Sequence, residues 1–226
     1  MKGRLRVALL TVTAAALLIG AGVVVGGGKP LPVNPDKGLT EDQVIQRQAQ
    51  ARAAFEDRLA AWFKNLDVAK LDLRSLPHAE RLVSLEPPAA TFADAVREAS
   101  VVVTGTVSSI SPQEDGTIVT LTVDATLKGA TTSSVSFMQV STLRPTADWS
   151  GTIIADSPGT PLLLPGTQGE FLLDDSGVGD LALQDVAGAY LFDANGVKTQ
   201  PLNPFSQQLG GMTRDALVKA TESALK

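Results

Sequence analysis

The sequence predicts a mainly β protein with flanking helices (an α+β class), built around a small antiparallel β-barrel with a C-terminal helix. Short segments rich in Val, Ile and Thr follow one another between turn signals from residue 101 onward, which is typical of barrels and sandwiches. Helical periodicity in this region is confined to its two ends. An apolar run and a separate amphipathic segment precede it, so the predicted helices lie outside the barrel.

Residues 1–28 are predicted to be an export signal that is retained as a membrane anchor. Three basic side chains in the first six residues precede the uncharged run 7–28. As a helix this run would extend about 33 Å, enough to cross a bilayer core of about 30 Å. The positive charges place the N-terminus in the cytoplasm and the following domain outside the cell membrane. The alternative is cleavage near Gly28, where small residues suit a signal peptidase, and this would give a secreted protein.

Composition excludes several kinds of function. The chain has no cysteine, so disulfides, thiolate catalysis and Cys-ligated zinc are excluded. All 24 Asp and Glu residues lie after residue 28, and the formal charge of the chain is −5. We therefore expect no binding to nucleic acid, because attraction to a polyanion depends on clustered Lys and Arg.

Two segments are predicted between the anchor and the barrel domain. Residues 29–39 contain three prolines and form an extended spacer. Residues 40–66 form an amphipathic helix, in which Thr40 and Gln43 make a capping box. The aromatic side chains of this helix are Phe55, Trp62 and Phe63. Their helical spacing indicates that they pack on the barrel domain or on a protein partner.

The barrel domain is predicted over residues 91–226, after a proline-broken connector over 67–90. A short helix capped by Thr91 leads into the first strand, and an Asp-Gly turn leads into a strand with clean apolar–polar alternation over 119–127. Residues 142–168, with four prolines, are predicted to be a long loop. The other predicted strands are 101–110, 133–140, 169–173, 180–184, 189–193 and 197–200, and the predicted last helix is 213–225.

The motifs of residues 91–226 resemble those of a known type of exported bacterial domain. They are a short capped helix that ends in a small residue, the run VVVTGTVSSI, an alternating strand that ends in LKG, and a later strand with PG and GEFLL. A small hairpin and a Thr-capped last helix complete the pattern, which is similar to OB-like and netrin-like small β-barrels. The resemblance covers about 60% of the chain and implies the fold, but it brings no catalytic residue with it.

Few residues suggest chemistry. His78 is the only histidine, and its place in the connector predicts a surface residue, since it has no identifiable nucleophile motif beside it. Asp174, Asp175 and Asp180 could supply oxygen ligands to Ca²⁺, but turn chemistry alone also explains them. We therefore predict no catalytic residue, no metal site and no cofactor.

These features together predict a membrane-tethered extracytoplasmic binding or scaffold module, not an enzyme, with a protein partner. The candidate contact surfaces are the aromatic face of the 40–66 helix and the 142–168 loop around Leu163. One alternative is a structural subunit of a cell-surface assembly. The other is an envelope hydrolase that uses carboxylates alone, a class whose paired acidic residues cannot be located from sequence.

Overall fold

The computed structural model describes residues 38–80, 89–130, 133–176, 180–184 and 188–226. The chain divides into two units, Met1–Arg58 and Leu59–Lys226, and the boundary lies within the first helix. The predicted anchor over 1–28 and most of the predicted spacer lie outside the described residues. In the part that is described, no helix is long and apolar enough to cross a membrane.

Helix α1 spans Glu41–Asn65 and confirms the predicted helix with its capping box. The Gln43 amide donates to Thr40 Oγ1 at 3.4 Å, and the Thr40 amide donates to Gln43 Oε1 at 2.9 Å. Each hydrogen bond satisfies an amide that the start of a helix leaves without a partner.

After α1 the described residues contain ten strands and three more helices. A single 3₁₀ turn, Val68–Lys70, follows α1. The strands β1 to β10 are His78–Glu80, Val101–Pro112, Thr117–Lys128, Ser134–Gln139, Thr142–Pro145, Thr152–Asp156, Gln168–Asp175, Leu181–Leu183, Ala189–Asp193 and Gly196–Thr199. The helices α2 to α4 are Phe92–Glu98, Ser206–Leu209 and Arg214–Ala224.

Five strands close into a barrel in the order β7-β2-β3-β4-β8, with β8 pairing back onto β7. All pairings are antiparallel except that of β4 with β8. The barrel can be followed around its ring from the strand that comes first in the chain, β2. The neighbours are then the second, third, fifth and fourth barrel strands of the chain, namely β3, β4, β8 and β7. This order is consistent with the OB-like small barrel that the sequence predicts. Strands β9 and β10 extend the sheet from the first half of β7.

The prediction of an irregular loop over 142–168 is wrong for its first half. Strands β5 and β6 form a hairpin in which Leu143 lies opposite Ile154, and β1 adds to β6 in parallel. Pro145 is tolerated because it ends the edge strand β5, where a missing amide breaks no ladder. The buried side chains Leu143 and Ile154 join the barrel interior, so this three-stranded sheet packs on the barrel.

Strands β2 and β7 are buried on both faces, and two cores result. Val103 and Phe171 point into the barrel with the first core. Val102 and Leu172, one position away, point outward into a second core beneath α2 and α4. This is why residues 101–105 and 169–173 are buried without interruption, as in strands covered on both sides.

Two of the predicted helix caps of the barrel domain are confirmed. The Asp94 amide donates to Thr91 Oγ1 at 3.1 Å at the start of α2. The Ala216 amide donates to Thr213 Oγ1 at 3.2 Å at the start of α4. Both helices therefore begin where the sequence predicts, and both place their apolar sides on the second core.

Candidate functional site

The tip of the β5–β6 hairpin, residues 146–151, is tightly organised around one carboxylate. Asp148 Oδ1 accepts from the Thr146 hydroxyl at 2.7 Å and from the Ser150 amide at 3.1 Å. Its Oδ2 accepts from the Ser150 hydroxyl at 2.8 Å. The Gly151 amide donates to Thr146 Oγ1 at 2.9 Å. The hydrogen bonds from Thr146 and Ser150 lower the pKa of Asp148 to about 2, because they stabilise the ionised carboxylate.

This frame holds Trp149 in a conformation that its side chain disfavours. Among the described residues other than glycine, Trp149 alone has a positive φ, at 64°. The left-handed region costs an L-residue with a Cβ about 1 kcal/mol or more, and a bulky residue there is an outlier. The Trp149 side chain is half-buried at the hairpin tip. Such strain persists only where the surroundings enforce it, and it is concentrated at functional sites.

The aromatic residues predicted for partner binding are divided between the two units. Phe55 is 53% exposed and lies in the first unit. Trp62 is half-buried against the barrel core. Phe63 contacts Trp62 edge to face, with ring centroids 5.0 Å apart, and the Arg144 guanidinium lies 5.6 Å from its ring centre. The second half of α1 thus packs on the domain, which is one of the two roles that the spacing predicts for its aromatic residues.

Phe63 also lines an open cleft of about 400 Å³ between the end of α1 and the end of β2. Its other apolar lining residues include Leu66, Ile110 and Pro112, and polar groups of Asn65 and Ser111 share the wall. The volume lies within the range of small-molecule sites, but those sites enclose most of their ligand. This cleft is open to solvent, and the polar residues that line it in the described part of the chain are not buried, so it offers a contact surface.

Leu163 lies in the barrel core, where its side chain is 2% exposed. Its amide donates to Gln139 Oε1 at 3.0 Å, and the neighbouring Leu162 amide donates to Asp156 Oδ1 at 2.9 Å. These bonds tie the segment to β4 and β6 and turn its leucines inward. The side chain that the sequence suggests for partner binding is therefore a core residue.

The three aspartates considered as calcium ligands do not converge in the described part of the chain. Asp174 and Asp175 are consecutive on β7, so their side chains point to opposite faces. Asp174 Oδ1 accepts from Gln184 Nε2 at 3.0 Å, and the Asp180 carbonyl accepts from the Ser176 amide at 2.9 Å. Residues 177–179 lie outside the described residues, within which no group of three acidic or histidine side chains could hold a metal ion.

His78 is exposed on β1, and its Nδ1 lies 2.6 Å from Asp156 Oδ2. Asp156 is also the acceptor for the Leu162 amide, so its carboxylate serves a structural purpose. In the described residues no serine or threonine hydroxyl completes this pair into a nucleophilic triad. The surface position predicted for His78 agrees with this placement.

The outward face of β2, β3 and β4 is rich in hydroxyl groups. The Ser108 hydroxyl donates to the Thr120 carbonyl at 3.0 Å, and the Thr120 and Ser136 hydroxyls lie 2.9 Å apart. Thr122 and Ser134 are opposed across the same two strands. This is the face with which OB-folds bind oligonucleotides and oligosaccharides. Here it presents neutral hydroxyls together with Asp124.

A buried carboxyl group lies on the outward side of β7, in the second core beneath α4. Glu170 on β7 is 0% exposed, and the Thr221 hydroxyl of α4 donates to its Oε1 at 2.5 Å. Burial raises the pKa of Glu170 to about 7, although the Thr221 hydrogen bond acts in the opposite direction. Sequence reasoning missed this residue because the run GEFLL reads as an ordinary strand. No pattern in it shows that both faces are covered.

Sequence reasoning also missed Trp149. A usable signal exists in Thr146-Ala-Asp-Trp-Ser-Gly, since Asp, Ser and Gly favour a turn and an Asp two residues before a Ser suits an Asx turn.

The chain matches no family model, no curated protein and no solved structure.

Proposed function

We propose that the chain is a membrane-tethered extracytoplasmic module that binds a protein partner through the hairpin tip 146–151, with Trp149 as the anchor residue. The observation that carries the proposal is the strained Trp149 backbone inside a rigid hydrogen-bonded frame. A frame of this kind makes the tip rigid before binding, and rigidity lowers the entropy cost of association.

The chemistry of the tip fits a protein partner. Tryptophan is enriched at the energetic centres of protein interfaces, where it fills a pocket of the partner. The residues around Trp149 are small or form turns, a combination that rigid binding loops share because it presents one large side chain with little entropy loss. The Asp148 oxygens accept hydrogen bonds within the tip, and the half-buried indole is the largest apolar group of the tip.

Nucleic acid fits the barrel poorly as a ligand. Proteins that bind single strands combine a positively charged groove with aromatic stacking platforms. The corresponding face of this barrel presents hydroxyls and Asp124, and Arg214, which lies 3.1 Å from Asp124, is neutralised by that ion pair. The acidic balance of the residues after the anchor argues in the same direction.

The tether is proposed from the sequence alone. The uncharged run 7–28 is long enough to span a bilayer, and the proline-rich 29–39 segment suits a spacer that holds the barrel away from the membrane. The resemblance to exported OB-like and netrin-like barrels supports the same location. Alkaline extraction of native membranes, with the mass of the mature N-terminus, tests it. An intact N-terminus in the membrane fraction is expected, and a mature chain that begins near residue 28 would mean secretion.

The binding role is tested by affinity capture of the full chain from native membranes, followed by direct binding measurements with each captured protein. We expect Trp149→Gly to weaken binding of the specific partner by about thirtyfold or more, because anchor residues contribute about 2 kcal/mol or more.

Phe55→Ala is the matched control, since Phe55 is an exposed aromatic residue that belongs to α1 and not to the hairpin. It should retain the partner with unchanged affinity. Loss of the partner with Phe55→Ala and its retention with Trp149→Gly would assign binding to the face of α1 and contradict the proposal for the tip.

A further inference from the structure

We propose that Glu170 is a proton-dependent latch for the C-terminal helix: α4 is held on the barrel when this carboxyl group is protonated and opens when it is ionised. The proposal is independent of the binding function, because none of its residues lies in the hairpin tip. It concerns the second core, which α4 covers together with α2.

The latch is built from residues that face one another across three strands and one helix. Across the sheet, Glu170 lies opposite Thr104 on β2 and opposite Tyr190 on β9. Directly opposed side chains share a face of the sheet. Thr221 of α4 lies over this row and donates to Glu170 Oε1. The helix thus contacts the carboxyl group directly, and opening of the helix would return that group to solvent.

Three buried polar atoms in this cluster lack a hydrogen-bond partner among the described residues. They are Glu170 Oε2, the Tyr190 hydroxyl and Asn203 Nδ2. Burial raises the pKa of the Tyr190 phenol, and the adjacent Asn203 amide acts in the opposite direction. An amide donor, a hydroxyl and a carboxyl oxygen can complete one hydrogen-bonded chain through a small shift or one buried water. A neutral carboxylic acid satisfies this chain without a buried charge.

Among the described residues, no basic side chain forms an ion pair with Glu170. In the described part of the chain its hydrogen-bond partner is the Thr221 hydroxyl. Arg214 at the start of α4 pairs with Asp124, donates to Thr104 Oγ1 at 3.5 Å and lies 5.2 Å from the centre of the Phe192 ring. On α2, Asp94 is paired with Arg97. Lys128 of β3 donates to the Val96 and Arg97 carbonyls of α2, and Asp174 of β7 accepts from Gln184. The other charged residues of the surrounding helices and strands are exposed, namely Glu98, Asp175, Asp193, Lys198, Asp215, Lys219 and Glu222.

The direction of the pH effect follows from proton binding. The closed state holds the pKa of Glu170 at about 7, whereas the ordinary value is 4.5. At a pH between these two pKa values, Glu170 is protonated in the closed state. In the open state its carboxyl group is solvated and has released the proton. Raising the pH through this window therefore favours opening, and the effect levels off above the upper value. From pH 5 to pH 8 the open population should rise on the order of fiftyfold.

Amide hydrogen exchange of the full chain at pH 5 and pH 8 tests the latch, after correction for the intrinsic pH dependence of exchange. We expect protection of the α4 amides to fall on the order of fiftyfold in the wild type, and α4 should be less protected than β3 at both pH values because it opens without the barrel. In Glu170→Gln, which retains an acceptor for Thr221 but cannot ionise, protection of α4 should change less than about twofold.

Glu222→Gln is the matched control, because Glu222 is an exposed acid on the same helix; it should behave as the wild type. Equal protection of α4 and β3 at both pH values would mean that α4 opens only in global unfolding and would overturn the latch, as would the same pH response in Glu170→Gln. The carboxyl ¹³C shift of Glu170 in the wild type provides a measurement that does not depend on the folding of a variant. A midpoint below pH 5 would also overturn the proposal.

Discussion

Gly105 lies in β2 where the neighbouring strand leaves no room for a side chain. The register of β2 against β3 shifts between Thr104 and Gly105, as at a β-bulge. A Cβ built on Gly105 would lie 2.4 Å from the Thr122 carbonyl oxygen. That oxygen belongs to the backbone of a barrel strand, so it cannot move without disturbing the ladder. Glycine is therefore required at this position by close approach of two backbones.

Gly105→Ala is expected to lower the free energy of unfolding by about 3 kcal/mol, the upper end for overpacking. Gly151→Ala is the control, since its Cβ would meet Thr146 Cγ2 at an ordinary 3.4 Å, and it should cost less than about 1 kcal/mol. Denaturant unfolding measures both. If Gly105→Ala lowers the free energy of unfolding no more than Gly151→Ala does, the bulge relaxes freely and the close approach does not require glycine.

At the scale of elements, the β5–β6 hairpin owes its tip to side-chain hydrogen bonds. The ladder between the two strands ends at Pro145 opposite Thr152. Beyond it the Thr146 amide donates to the Gly151 carbonyl at 3.0 Å, and Asp148 organises the remaining turn. An Asp side chain that accepts from the residues around it replaces backbone partners that a six-residue loop does not supply.

The tip should loosen in acid. The pKa of Asp148 is lowered from 3.8 to about 2, so its contribution is present above the ordinary value and is lost as the pH falls through the folded value. Exchange of the Ser150 and Gly151 amides should therefore accelerate, relative to intrinsic rates, between pH 4 and pH 2. Asp148→Asn should show no such acid step. A wild-type tip whose protection is unchanged at pH 2 would contradict the role given to Asp148.

At the scale of the whole molecule, the sequence predicts the barrel well and its functional features poorly. Local signals predict three of the strands. The turn at Gly116 and the alternation over 119–127 predict β3, and the turn at Gly196 predicts the hairpin of β9 and β10. The alternation fails at Ala125, which is exposed, because the strand has by then passed beyond the core. Closure of β8 onto β7 depends on residues far apart in the chain, which periodicity does not report.

The candidate sites escape sequence reasoning for related reasons. The prolines of 142–168 favour a loop, yet Leu143 and Ile154 gain enough burial to form a hairpin. From the sequence, Glu170 has the position of a polar residue on the exposed face of a half-buried strand. In the structure α4, which begins more than forty residues later in the chain, covers it. Trp149 is exceptional only in its backbone conformation. In each case the deciding contact is tertiary, so only the folded arrangement reveals it.

The stability of Trp149 variants tests most directly the claim that this residue is kept for binding and not for folding. Glycine relieves the left-handed strain. Denaturant unfolding of the full chain should therefore give Trp149→Gly a free energy of unfolding within about 0.5 kcal/mol of the wild type, or above it. Trp149→Ala should be less stable than Trp149→Gly by about 1 kcal/mol. A loss of more than about 2 kcal/mol in Trp149→Gly would show that the indole is a packing residue, and would contradict the account.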